Sequence, residues 1–271
     1  MCFLNKKIIL FSTTLVLSLG LYAQKDSNRL YYSNLQDKWL IEIPLWIPGF
    51  RGQLSYGEIE LSTETPKEDI DLERIEKDTG IEFYLVGNVS YRSPKFWFQL
   101  DAFSGKVGNT FTLTPIQNET EKELAHLSIE ATIPRVLIGY SVWKKKFNAH
   151  ADIEIIPYTG LRYMYMQFES ENSTGEQVLD VVNNWFEPLL GISVPFHYKR
   201  FRFDIQADMG ANSSKNSTMI NSSIKYKASK LIAIKTGWSS FFSNHHDSVN
   251  GQELDFTLNL QGPILGVGFH F

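Results

Sequence analysis

Apolar and polar residues alternate along most of this chain, and a period of two is the signature of β-strands with two unlike faces. Phe201, Phe203, Ile205, Ala207 and Met209 alternate with Arg202, Asp204, Gln206 and Asp208. Ile220, Ile224, Tyr226 and Ala228 alternate with Asn221, Ser223, Lys225 and Lys227. Ile81, Phe83, Leu85, Val89 and Tyr91 alternate with Glu82, Tyr84, Asn88 and Ser90. The last segment shows the pattern twice. Leu254, Phe256, Leu258 and Leu260 share one face; after Gly262-Pro263 the apolar face passes to Leu265, Val267, Phe269 and Phe271. That change of parity predicts a β-bulge at Gly-Pro.

The alternation predicts ten strands, over 38–57, 80–92, 95–114, 124–143, 147–170, 184–198, 201–213, 218–228, 231–244 and 253–271. All exceed the roughly 9–11 residues that carry a tilted strand across a bilayer, whereas strands of soluble proteins cluster near about 5–6. Short connections alternate with long ones. Ser93-Pro94, Lys144-Lys145-Lys146, Lys199-Arg200 and Ser229-Lys230 are read as tight turns; 58–79, 115–123, 171–183, 214–217 and 245–252 are read as loops. This is the layout of an even-stranded barrel with both chain ends on the short-turn, periplasmic side. Eight or twelve strands follow if a long segment is divided differently. Tyr163, Tyr165, Phe196, Tyr198, Trp238, Phe269 and Phe271 fall near strand ends, where barrels set an aromatic girdle at the lipid headgroups. An open sheet edge in lipid would leave backbone groups unpaired at several kcal/mol each, so the first strand must pair with the last. The predicted fold is all-β: a closed, antiparallel, up-and-down transmembrane barrel of about ten strands over 38–271.

The N-terminus fits that destination. Lys6 and Lys7 precede an apolar run over 8–21, and Ala23 stands before a plausible cut at Gln24. Residues 1–23 thus read as a secretory signal peptide, too short in its apolar part for a helical anchor. Residues 24–37 read as a short periplasmic segment. Cleavage removes two lysines and moves the formal net charge from −4 to −6. It also removes Cys2, the one cysteine, so disulfides, thiolate nucleophiles and cysteine metal sites are excluded from the mature chain.

The C-terminal stretch from Gly262 to Phe271 resembles the closing strand of Gram-negative outer-membrane barrels. The resemblance implies that Phe269 and Phe271 form the signal read by the barrel-assembly machinery. Leu45-Trp46-Ile47-Pro48-Gly49-Phe50-Arg51-Gly52 and Trp185-Phe186-Glu187-Pro188-Leu189-Leu190-Gly191 are similar to patches in a family of small, mostly uncharacterised outer-membrane barrels, OmpA- or OmpW-like in general architecture. That resemblance implies fold and location, and no catalytic residues.

If apolar residues face lipid, their neighbours face the lumen. The expected lumen network holds Glu42, Glu82, Asp101, Glu130, Arg135, Asp152, Glu154, Arg162, Glu187, Arg202, Asp204, Lys225 and Asp255. Two uses are open: a salt-bridged, occluded interior, or a narrow channel for small solutes or ions. Charges of both signs argue against strong ion selectivity. Residues 58–79 carry nine acids and three bases, with a capping box at Thr65-Pro66-Lys67-Glu68, and read as a solvated acidic loop or a lid over the barrel mouth.

Two enzyme readings, and surface binding through the loops, are weaker alternatives. His126, Ser128 and Glu130 share a strand face, but the Asn that follows the serine in outer-membrane lipid-A deacylases is Ile129 here, and Ser128 is expected in the lumen. His245-His246-Asp247 is the local match to the Asp and His of ten-stranded outer-membrane proteases. The sequence offers no Walker A loop, dinucleotide turn or basic nucleic-acid patch, and no cofactor or metal is expected. The expected partners are outer-membrane lipid, the assembly machinery and, for a channel, small solutes or ions.

Overall fold

The computed structural model describes residues 38–271, apart from 57–58, 63–81, 116–122, 172–176, 214 and 250. The signal peptide, the 24–37 segment and most of the acidic segment therefore lie outside the described residues.

The strands close into a ten-stranded antiparallel barrel with two additional short strands. The first wall strand is interrupted at Ile47-Pro48, running as β1 (Trp39–Trp46) and then β2 (Gly49–Tyr56) in one register against β13. The second wall position is filled in two pieces, β3 (Ile59–Ser62) beside β2 and β4 (Glu82–Arg92) beside β1, and both pair with β5 (Phe96–Pro115). The wall continues through β6 (Glu123–Tyr140), β8 (Ala151–Glu171), β9 (Gln177–Tyr198), β10 (Phe201–Asn212), β11 (Lys215–Lys227), β12 (Ile232–Val249) and β13 (Gln252–His270). β13 pairs with β1 from Leu40↔His270 to Trp46↔Ile264 and closes the cylinder. Both ends of the described chain meet at one rim, where Lys38 N donates to Phe271 O at 3.0 Å. We call this the near rim and the opposite one the far rim.

The connections differ from the sequence reading in five places, two of them because β3 lies inside the expected 58–79 loop and β11 begins at Lys215, inside the expected 214–217 loop. Lys144, Lys145 and Lys146 are not a turn: they belong to β7 (Trp143–Asn148), an exposed strand that continues the line of β6 past Ser141-Val142 along the same edge of β8, so that the turn lies at 149–150. β9 starts at Gln177, so most of the expected 171–183 loop is strand. β12 runs to Val249, which shrinks the expected 245–252 loop to a turn around Gly251, whose φ of 83° suits glycine.

The outer face of the near half is apolar. Along β13 it presents Phe271, Phe269, Val267, Leu265 and Pro263; along β9 it presents Tyr198, Phe196, Val194, Ile192, Leu190, Pro188 and Phe186. Ile41, Ile43 and Leu45 of β1 and Ile138 and Val136 of β6 continue this belt. At the near rim cross-strand aromatic pairs ring the barrel: Trp39–Tyr91 (4.9 Å between ring centres), Phe96–Tyr140 (5.3 Å) and Phe201–Tyr226 (5.1 Å). An apolar belt bounded by such rings is what a lipid bilayer selects.

The far half inverts this pattern. In β13 the inward series of even-numbered residues runs from Leu254 to His270 without a break, and the register with β12 is continuous from Val249↔Gln252 to Ile232↔Phe269. The expected bulge at Gly262-Pro263 is absent. What changes there is the filling on each side. Below it Gly268 and His270 face in while Leu265 and Val267 face out; above it Leu254, Phe256, Leu258 and Leu260 face in while Asp255, Thr257, Asn259 and Gln261 face out. These four apolar residues, expected on the lipid side, join Trp46, Phe103, Met164, Met166, Phe168, Trp185 and Phe241 in one buried cluster. The cause is the outer medium. Beyond the belt the outer face meets water, so the apolar residues turn to the only dry volume left, the barrel axis.

Candidate functional site

The expected lumen charges divide by height. Those on near-half strands face inward as read, because there the apolar residues do face out. Glu130 and Asp255 do not. Both lie in the inverted half, where Ile129 and Ala131, or Leu254 and Phe256, take the interior and leave the acids on the outer surface. Asp255 is bonded there by His246 Nδ1. Glu82 is in β4, but its side chain is outside the described residues.

The upper layer of the network sits directly under the apolar cluster. The Arg135 guanidinium donates to Asp101 through Nε (2.7 Å) and Nη2 (3.0 Å), and its Nη1 donates to Asp208 Oδ2 at 2.7 Å. Asp208 also accepts from Tyr158 Oη at 2.9 Å and from Arg162 Nη2. Arg162 is fully buried, bonds Ser217 Oγ, and approaches Glu187 Oε2 at 3.5 Å. Glu187 is completed by Ser217 Oγ and by Trp185 Nε1 at 2.8 Å. Here the Trp185–Gly191 patch acquires a physical meaning. Its odd residues face inward: Trp185 seals and donates, Glu187 pairs, Leu189 packs beside Trp97, and Gly191 leaves room for the Tyr158 ring, which a Cβ would meet at 2.3 Å.

The lower layer centres on Glu42. Its carboxylate meets Lys225 Nζ at 2.7 Å and Lys235 Nζ at 3.3 Å. Lys225 also lies 3.5 Å from Asp204, which accepts from Arg202 Nε at 2.8 Å. Nearest the rim, Glu154 pairs with Arg92, Asp152 accepts from His197 Nδ1 at 2.8 Å, and Lys144 of β7 reaches both acids at 3.6–3.7 Å. Charges this deep persist only when paired and hydrogen-bonded, and alternating sign across neighbouring strands provides that.

Between the apolar cluster and the ion pairs lies a cavity of about 110 Å³. Trp46, Phe103, Ile133 and Phe241 form its roof; Glu42, Asp204, Lys225 and Lys235 stand at its floor. Its aromatic lining, including Trp97, escapes a reading that counts only charges. The sequence signal for Trp46 and Trp97 was present, since each shares inward parity with a charged neighbour on its strand, Glu42 and Asp101.

The two enzyme candidates are separated by the fold. Ser128 faces outward rather than into the lumen, by the same inversion as Glu130, and the side chain of His126 is outside the described residues. His245 and His246 point to opposite faces. His246, exposed beyond the belt, has its pKa raised by the hydrogen bond to Asp255. His245 is packed between Trp185 (4.4 Å, tilted) and Phe256 (4.6 Å, stacked), bonds Asn183 at 2.9 Å, and lies 3.8 Å from Asp247. Asp247 is itself held by Lys215 at 2.5 Å.

No protein-family model matches the chain, and neither does any curated protein sequence. Among solved structures the fold is similar to that of the outer membrane protease OmpT of Escherichia coli, with a TM-score of 0.51 and 8% identity over 87% of this chain and 98% of that one. The outer membrane protein OprG of Pseudomonas aeruginosa gives 0.36 and 12% over 87% and 96% of the two chains. The toluene transporter TodX of Pseudomonas putida gives 0.27 and 8% over 92% and 94%. At 8% identity the likeness to OmpT is one of fold alone: a closed β-barrel of the outer-membrane type.

Proposed function

We propose that the chain works as a sealed outer-membrane barrel, a structural element of the bilayer that does not conduct solutes along its axis. The belt and its near-rim girdle support the location. The short connections at the near rim, 93–95, 199–200 and 228–231, support placing it on the periplasmic side, with the far rim exposed to the exterior. One observation carries the sealed reading. Across the far half Met164, Met166, Phe168, Phe241 and Leu254 are at most 1% exposed, so the axis there is filled by side chains in mutual contact. A conducting path needs a continuous polar or hydrated lumen, and a dry constriction closes one. The ion pairs below then act as internal cross-braces between neighbouring strands.

Planar-bilayer recording of refolded full-length protein tests this. Folding is checked by altered migration on unheated gels, and insertion by a fluorescent label counted in the same membrane. The expected record is silent at every inserted molecule. Stepwise conductance scaling with the number of inserted molecules would overturn the reading in favour of a narrow channel.

A further inference from the structure

Charge is spread unevenly over the outside of this barrel. The near-rim connections 93–95, 141–150, 199–200 and 228–231 contain lysine and arginine but neither aspartate nor glutamate. The outer surface of the far half is the opposite: among the described residues Glu130, Glu169, Asp180, Glu253 and Asp255 outnumber Lys106 and His246 there. The whole chain is acidic, with a formal charge of −4, so the basic rim is a local feature.

One lysine of this rim stands on the lipid-facing surface itself. Lys145 pairs in register with Ile153, and Ile153 with Phe196 of the apolar belt. Trp143 and Phe147 share that face of β7 and are 45% and 55% exposed. The Phe147 ring lies 6.4 Å from that of Phe196 and 5.5 Å from the Lys145 ammonium above it. At the next connection Lys199 stands over the exposed Tyr198 ring at 5.4 Å, and Lys95 lies beside the start of β7, its O accepting from Ser141 N at 2.7 Å. Among the described residues no carboxylate lies within ion-pair distance of Lys95, Lys145 or Lys199, whereas Lys144, on the inner face of β7, is held by Asp152 and Glu154. Lysines also guard open strand edges against pairing, which accounts for Lys144 and Lys146. It does not account for an ammonium on the lipid side between two exposed rings. Rings at the edge of an apolar belt sit among headgroups, and a lysine stem lying along them carries its ammonium to the level of the phosphates. From this geometry we infer that the near rim binds anionic glycerophospholipid headgroups of the adjoining leaflet, with a phosphate set against Lys145 between Trp143 and Phe147. A zwitterionic headgroup brings its own cation, which these lysines repel and which no aspartate or glutamate of the connections receives. An anionic headgroup leaves its charge to Lys145 and its neighbours Lys95 and Lys199. The inference rests on the belt lying in a bilayer. It goes beyond the sealed-barrel reading, because a conducting barrel would present the same rim.

The test is native mass spectrometry of the refolded full chain in detergent micelles doped with equal amounts of dimyristoylphosphatidylglycerol and dimyristoylphosphatidylcholine. Folding of every variant is checked by migration on unheated gels. A lysine at an anionic surface is worth about fivefold in affinity. The parent should therefore retain the glycerol lipid about tenfold or more over the choline lipid. Lys145→Gln should lower that ratio about fivefold, and Gln at Lys95, Lys145 and Lys199 together should bring it to parity. Lys106→Gln, on the outer surface beyond the belt, should leave it unchanged. Equal retention of the two lipids by the parent would overturn the inference. An undiminished ratio in the folded triple variant, or in Lys145→Gln if the triple variant does not fold, would place the anionic lipid elsewhere and overturn the assignment. An equal loss in Lys106→Gln and Lys145→Gln would show a response to overall charge and overturn it as well.

Discussion

At the scale of single residues, most buried charges of this barrel come in sets, so the loss of one member should cost more than its own contacts. Arg162 is the extreme case: no part of its side chain is exposed, and it serves both Asp208 and Glu187. Arg162→Leu takes from Glu187 the cation that faces it and leaves Asp208 with Arg135 alone, in a dry interior. Breaking a buried pair in this way costs about 3–5 kcal/mol. We therefore expect a marked drop in the urea midpoint of the refolded barrel, partly restored when Glu187→Gln removes the stranded charge. An unchanged midpoint would mean that water reaches this layer. The sequence made Arg162 and its near-half companions legible, because charge and apolar residue alternate there in the sense expected of a lipid-embedded strand. Glu130 and Asp255 were misread for a physical reason. An alternating pattern states that two faces differ, but not which one is outside.

At the scale of elements, strand existence was legible and strand limits were not. The ten expected wall strands are the ten observed, yet the sequence reading places 177–183 and 245–249 in loops. They do contact solvent, as the outer face of strands that continue past the lipid. Gly262-Pro263 was recognised as special for the wrong cause. β13 stays in register there, and the glycine is needed because the first wall strand, interrupted between β1 and β2, brings its Ile47-Pro48 backbone against it. A Cβ on Gly262 would stand 1.9 Å from Ile47 O, while Ile47 N donates to Pro263 O at 3.1 Å. This contact lies in the seam that closes the cylinder. Gly262→Val should therefore impair closure itself, lowering refolding yield into lipid vesicles severalfold, whereas Gly251→Asn, at a turn with open space around it and a φ that Asn tolerates, should leave the yield close to that of the parent. Equal yields would show that this close approach is not required for closure.

At the scale of the whole molecule, the inversion of polarity places the bilayer along the barrel without reference to any relative. Where apolar residues face out, the medium is hydrocarbon; where Asp255, Thr257 and Asn259 face out above a dry core, it is water. A single strand crosses from one regime to the other, which allows an internally controlled measurement. Leu265 and Asn259 both point outward from β13 on the same pleat, on opposite sides of Gly262-Pro263. An arginine facing lipid near the bilayer midplane costs about 2–4 kcal/mol, falling to about 0–1 kcal/mol near the interface. Leu265→Arg should therefore destabilise the barrel in lipid vesicles by an amount within that range, while Asn259→Arg should be nearly neutral, as a polar residue exchanged for another in water. In detergent micelles, which adapt their boundary to the protein, the gap between the two should narrow. If both variants were equally costly in vesicles, the belt would extend past Pro263 and the far half would be embedded too. That result would leave Glu253 and the Asp255–His246 pair in hydrocarbon beside Leu254 and Phe256 in the core, an arrangement that the cost of moving charge into lipid opposes even when it is paired.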